Sequence, residues 1–257
     1  MHITFLGTGT SAGIPVIGCD CPVCTSPDPR NRRRRTSLYL RAAGTHLVVD
    51  TPPDFREQAL LFRIPRIDAV LFTHTHADHL FGLDDIRRYN TLQNGPIPAY
   101  ASANSLADLR RVFDYVLAPN HPPGTYRPEL IFREIAGPFA VGAVHITPLA
   151  VEHGPETTLA FRFAAVGRSL GYAPDCHAMS EPAVAAMRGV DVMVLDALRY
   201  RPHATHLTVD ESVSLLRRIG AGRSYLIHMC HDVEHSAAEQ QLPAGMCLAY
   251  DGLTLDW

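Results

Sequence analysis

The feature that most constrains this chain is a short apolar run, 68–72, that passes directly into Thr73-His74-Thr75-His76-Ala77-Asp78-His79. Residues 69–72 read as a buried strand. In extended backbone, residues i and i+2 point the same way, so His74 and His76 can face one ion together. The chain then turns into a helix near Leu80. Asp78 and His79 sit at that turn and can face a second ion. Imidazole nitrogen and carboxylate oxygen suit zinc, manganese or iron. Two ions about 3.5–4 Å apart can hold a hydroxide between them and clamp a phosphoryl or carbonyl oxygen. The competing explanation is a surface loop of solvated histidines. Four ligand-type residues within six positions, straight after a buried strand, argue against it.

The surrounding pattern predicts the scaffold. Strand-length runs rich in β-branched residues occupy 3–6, 37–40, 46–50, 69–72, 144–149, 159–163, 192–195 and 224–228. Helical periodicity covers 54–62, 105–116 and 208–219. The last of these opens with a capping box, Thr208-Val209-Asp210-Glu211. Strands come first and are later interleaved with helices. The expected fold is α/β: two sheets with helices outside, a four-layer αββα sandwich, in one domain over 1–257. The Pro-rich stretch 118–128 reads as a loop, either a plain connection or a lid.

Composition narrows the function. The chain has 257 residues, 46% of them hydrophobic, enough for a large core. A net charge of −3 argues against a general nucleic-acid or membrane binder. No basic and apolar leader opens the sequence, and no apolar stretch reaches membrane-spanning length. Three of the six cysteines, Cys19, Cys21 and Cys24, crowd into six positions. That spacing suits a metal hook in a reducing compartment better than a disulfide framework, so the cytoplasm is the expected location.

The run His-x-His-x-Asp-His resembles the signature of the metallo-β-lactamase superfamily, and the likeness extends over nearly the whole chain. Leu6-Gly7-Thr8-Gly9-Thr10-Ser11-Ala12-Gly13 is similar to its first strand and glycine-rich turn, and Asp50 to its structural aspartate. The resemblance implies further ligands: His153 in Val-Glu-His-Gly, Asp175 in Gly-Tyr-Ala-Pro-Asp, and His228 ending Tyr-Leu-Ile-His. In the implied scheme His74, His76 and His153 hold one divalent ion. Asp78, His79 and His228 hold the other, and Asp175 bridges them. Zinc and manganese both fit. Cys176, adjacent to Asp175, is not expected to replace it, because a hard bridging carboxylate favours an oxygen-and-nitrogen site.

The hook at 19–24 lacks a fourth ligand for a closed tetrahedral zinc. His231, three residues after His228, is the candidate, with Cys230 as its rival. A subgroup of the superfamily carries a structural zinc held in this way. Such an ion would tie the N-terminal loop to the C-terminal part and perform no chemistry.

Hook, ligand set and layout together resemble the PhnP family of cyclic-phosphate phosphodiesterases. This implies hydrolysis of a small or cyclic phosphate diester, such as a ribose or nucleoside cyclic phosphate, by a hydroxide shared between two ions. The catalytic residues implied are Asp78 and His206. His206, just before the 208–219 helix, matches an additional active-site histidine placed to bind phosphate or protonate the departing alkoxide. His203 competes for that role. Two other readings stay open: a tRNA-maturation-type endonuclease, and a PqqB-like binding protein of cofactor biosynthesis. The arginine-rich run 30–35 is either a solvated loop or a guide for phosphate or a nucleic acid strand. The expected partner is a small phosphorylated substrate, with nucleic acid not favoured and no membrane. A homodimer is compatible with the sequence.

Overall fold

The central strands, such as those at Ala69–Leu71 and Val192–Asp196, are buried on both faces, and the sequence periodicity shows how. In the computed structural model of the chain, which describes residues 1–117 and 126–257, strand β4 (Ala69–Leu71) turns Ala69 and Leu71 inward and Val70 outward. One sheet contains β1 (His2–Gly7), β2 (Ser37–Ala42), β3 (Thr45–Val49), β4, β5 (Ile97–Ala101) and β6 (Leu130–Glu134). The second contains β7 (Phe139–Val141), β8 (Val144–His153), β9 (Glu156–Ala165), β10 (Arg168–Ala173), β11 (Val192–Asp196), β12 (Arg223–Ile227) and β13 (Met246–Leu248). The closing strand β14 (Thr254–Asp256) returns to the first sheet beside β1. The orders are β14-β1-β2-β3-β4-β5-β6 and β13-β12-β11-β10-β9-β8-β7.

Between the sheets lies an apolar layer that includes Phe5, Leu38, Leu47, Phe161, Phe163, Val192 and Val194. Each fully buried side chain of this kind stabilises the fold by roughly 1.5–3 kcal/mol. The outer face of the first sheet packs against α1 (Phe55–Leu61), α2 (Ala77–Leu80), α3 (Arg87–Gln93), α4 (Ala103–Val112) and α5 (Asp114–Leu117). The outer face of the second packs against α6 (Glu181–Met187), α7 (Val209–Ile219) and α8 (His235–Glu239). This is the expected four-layer α/β sandwich. No helix among the described residues is long and apolar enough to cross a membrane.

Besides β4, which ends at Leu71 rather than Phe72, two strands stop one residue before the sequence pattern does. The residue that leaves the ladder is a site residue in each case: Asp50 after β3 (φ 63°) and His228 after β12 (φ 60°). A left-handed backbone at a non-glycine residue is unfavourable and re-aims the side chain. The helix expected over 105–116 begins earlier, where Ser102 accepts from the Ser105 amide, and breaks at Phe113 into α4 and α5. The capping box forms as expected: Thr208 accepts from the Glu211 amide, and Glu211 accepts from the Thr208 amide. The proposed lid over 118–128 falls mostly on 118–125, outside the described residues.

Candidate metal centre

The carboxyl ends of β3, β4, β8, β10, β11 and β12 deliver Asp50, His74, His153, Asp175, Asp196 and His228 to one end of the sandwich. Ligand sites of α/β sheets collect at such strand ends. Asp78 and His79 arrive on α2, directly after His76.

The hydrogen bonds fix where the ring protons sit. His79 Nδ1 lies 2.8 Å from Asp50 Oδ2, which has no proton to give when ionised, so the imidazole donates there. The Thr73 hydroxyl donates to Asp50 at 2.8 Å and therefore accepts from His74 Nδ1 at 2.9 Å. His153 Nδ1 donates to the Thr205 carbonyl at 2.8 Å. The Thr36 hydroxyl donates to the Gly9 carbonyl at 2.9 Å and so accepts from His228 Nδ1 at 3.1 Å. In each neutral ring the proton is committed on Nδ1, which leaves a lone pair on Nε2.

Those lone pairs meet. His74 Nε2 is 2.9 Å from His76 Nδ1, and His153 Nε2 is 3.3 Å from the same atom. Two of these three nitrogens carry no proton, so only a proton on His76 Nδ1 or a cation among them offsets their repulsion. A second group joins Asp78, His79 and His228. Asp175 stands between the groups. Its Oδ1 is 3.1 Å from His79 Nε2 and 3.4 Å from His228 Nδ1, while Oδ2 is 3.6 Å from His153 Nε2 and 3.9 Å from His74 Nε2. His79 Nε2 and Asp175 Oδ1 are buried and face each other without a hydrogen bond of good geometry. Such orphaned atoms are costly unless something absent from the chain itself satisfies them, so the donor set fits divalent cations. Burial pushes the His74 and His228 protons off, His228 down to about 3. Both rings are thereby kept in the form that ligates.

His206 sits beside this group, its Nε2 4.0 Å from Asp175 Oδ2. Its Nδ1 donates to Asp196 Oδ2 at 2.7 Å. Burial opposes a charge on this ring, but Asp196 outweighs burial and raises its proton affinity. Burial pushes Asp196 itself up to about 7. Asp196 has no place in the sequence reading. Its signal is the one that marks Asp50: an acid closing a wholly apolar strand.

The cysteine hook gathers as expected. His231 Nδ1 lies 3.3, 3.6 and 3.5 Å from the Sγ atoms of Cys19, Cys21 and Cys24. These four side chains form a group of metal-binding dimensions, and Cys230 is not in it. The Cys24 amide donates to Cys21 Sγ and, as the main cause, lowers that thiol to about 7.

The arginine-rich run behaves neither as a solvated loop nor as a free guide. Arg33 is buried and donates to the carbonyls of Cys230 and Val233. Arg30 pairs with Asp28, Arg34 with Glu57 and Asp251, and Arg35 with Asp54. The run fastens the N-terminal segment to the C-terminal part, and Arg32 alone stays exposed.

The chain resembles several known proteins. A family described as "Beta-lactamase superfamily domain" matches residues 45–229. A crystal structure of a new diphosphatase from the PhnP family superposes with a TM-score of 0.91 at 38% identity, covering 100% of this chain and 97% of that one. A coenzyme PQQ synthesis protein B from a Methylobacterium species is 30% identical over 99% of both chains. An octanoyltransferase from Porphyromonas gingivalis is 34% identical over 98% of this chain. The chain spans about half the length (51%) of that relative. The chain belongs to the β-lactamase superfamily, as a hydrolase of the metallo-β-lactamase fold. Within the superfamily it is closely related to the PhnP family.

Proposed function

We propose that the protein is a metal-dependent phosphodiesterase that hydrolyses a small or cyclic phosphate diester, such as a ribose or nucleoside cyclic phosphate. The observation that carries the reading is the convergence of imidazole and carboxylate side chains on both sides of Asp175, with the His206–Asp196 pair alongside. In this reading His74, His76 and His153 would hold one divalent ion and Asp78, His79 and His228 the other, with Asp175 placed to serve both. When bound, two zinc or manganese ions would polarise a phosphoryl oxygen and supply a potent water nucleophile at neutral pH.

The chain's own residues do the rest. Asp50, Thr73, Thr36 and the Thr205 carbonyl orient the imidazoles. Asp196 holds a proton on His206 Nδ1 and favours the doubly protonated ring. Water attacks phosphorus in line, the bond to the leaving oxygen breaks, and His206 Nε2 gives that oxygen its proton. The hook of Cys19, Cys21, Cys24 and His231 would hold a third, structural zinc that ties 19–24 to the segment after β12. Reduced thiols of this kind suit the cytoplasm.

Similarity to a diphosphatase at 38% identity over the full chain favours a second reading, in which the scissile bond belongs to a diphosphate. The test compares bis(p-nitrophenyl) phosphate, a 2′,3′-cyclic nucleotide and a diphosphate diester on metal-loaded protein. Turnover that chelation abolishes and metal restores is the expected result, and the relative rates choose between the readings. Inactivity toward all three at full metal loading would leave a binding role like that of the PQQ synthesis relatives.

A further inference from the structure

His206 is not the last imidazole in the row. Rings follow one another outward: His153 to His206 at 4.6 Å, then His206 to His203 at 5.2 Å. His206 is buried, while His203 is half-buried. The sequence leaves the two histidines as rivals for one role. The structure gives them different positions and different partners.

His203 is held in one tautomer. Its Nδ1 accepts from the Thr205 amide at 3.3 Å, and the Thr205 hydroxyl is also 3.3 Å away. A nitrogen that accepts from a backbone N–H carries no proton of its own, so the ring proton is on Nε2. Burial, followed by the charges of His206, Arg199 and His177, lowers the ring's proton affinity and keeps it neutral. The result is a fixed N–H donor that no hydrogen bond among the described residues engages on its Nε2 side.

The loop carrying it is rigid. Arg199 donates from Nε to the Arg201 carbonyl at 3.1 Å and from Nη2 to the Pro202 carbonyl at 2.8 Å. Arg201 Nε reaches Asp232 at 3.1 Å. The loop base is sealed by Leu198 N–H to the Leu207 carbonyl and by Val209 N–H to the Arg199 carbonyl, each at 3.0 Å. Thr205 serves both ends of the row, orienting His153 with its carbonyl and His203 with its amide. A donor on so constrained a loop is preorganised for a ligand.

We infer that His203 is a substrate-binding residue that recognises a second phosphoryl group, one bridging oxygen away from the group beside His206, and so lets the site take diphosphate-containing substrates as well as single phosphate diesters. This rests on the phosphodiesterase reading and names its substrate class. A neutral Nε2–H donates to a non-bridging oxygen of the second phosphoryl group without needing a further metal. Arg199, adjacent in the same loop, adds positive charge at that end of the row.

The experiment compares wild type, His203→Ala and His203→Gln, all metal-loaded, on ADP-ribose and on 2′,3′-cyclic AMP. His203→Ala should raise KM for ADP-ribose by about tenfold to a hundredfold, the weight of one hydrogen bond to a charged acceptor, with kcat within about twofold. The corresponding change with the cyclic monophosphate should be at least about tenfold smaller. His203→Gln keeps an N–H donor and should recover part of the loss. Equal losses on both substrates, or a loss confined to kcat, would overturn the inference. Wild-type protein that turns over neither substrate would sink the phosphodiesterase reading instead. Calorimetric titration with inorganic pyrophosphate and phosphate then reads the donor directly: a preference for pyrophosphate that His203→Ala abolishes supports it, and a preference the variant leaves intact refutes it.

Discussion

Replacing Asp50 by asparagine should disarm the site without touching a residue that faces substrate. Asp50 Oδ1 accepts from the Thr73 amide at 2.8 Å, and Oδ2 accepts from the Thr73 hydroxyl and His79 Nδ1, each at 2.8 Å. Asparagine has the same shape but only one acceptor oxygen. With that oxygen on the Thr73 amide, its NH2 group faces His79 Nδ1–H, donor against donor. His79 escapes by moving its proton to Nε2, the atom 3.1 Å from Asp175 that the metal reading requires to be free. Loss of such an orienting partner weakens metal binding by about 10–100-fold, or about 1.4–2.7 kcal/mol. The assay is competitive zinc titration of metal-free protein against a chromophoric chelator, with the hook ion counted separately. Asp50→Asn should show one or both active-site equivalents weakened by that factor. An unchanged affinity for both would refute the proton assignment on which the site argument stands.

Other outcomes follow from the same geometry. His206→Ala should lower kcat by about 10²–10⁴-fold, the range for general acid catalysis, while metal content measured by elemental analysis stays at the wild-type value. Cys21→Ser should release one equivalent of metal and lower Tm, read by calorimetry beside elemental analysis, because the hook joins segments more than 200 residues apart. Gly82→Ala would put a Cβ 2.0 Å from the Pro52 carbonyl oxygen and 2.8 Å from Phe55 Cβ. Urea denaturation should record a loss of about 1–3 kcal/mol for that overpacking.

The sequence made the scaffold and the ligands legible for different reasons. Strands such as β11 and β12 are buried on both faces, so they stand out as apolar runs bounded by polar residues. β10 was not picked out because Ser169 and Gly171 interrupt its pattern. The second of these is a glycine for lack of space: a Cβ there would lie 2.4 Å from Met193 Sδ. Ligands crowded within one turn, His74 to His79, announce themselves by spacing. His153, Asp175 and His228 are single residues at separate strand ends, and only their resemblance to a known order singled them out. Asp196, Thr36 and the Thr205 carbonyl act through another residue's ring. Nothing in local sequence marks a hydroxyl or a backbone carbonyl for that task. The arginine-rich run was ambiguous because its acidic partners, Asp54, Glu57 and Asp251, lie far along the chain and meet it only in the folded state.

The most direct test of the account is the rate of phosphodiester hydrolysis as metal-free protein is titrated with zinc or manganese. The account predicts no turnover until the active-site group fills, a rise that ends near two equivalents beyond the hook ion, and no rise at any loading in Asp175→Ala. Full metal occupancy without hydrolysis of any phosphodiester or diphosphate, or equal turnover in Asp175→Ala, would contradict it.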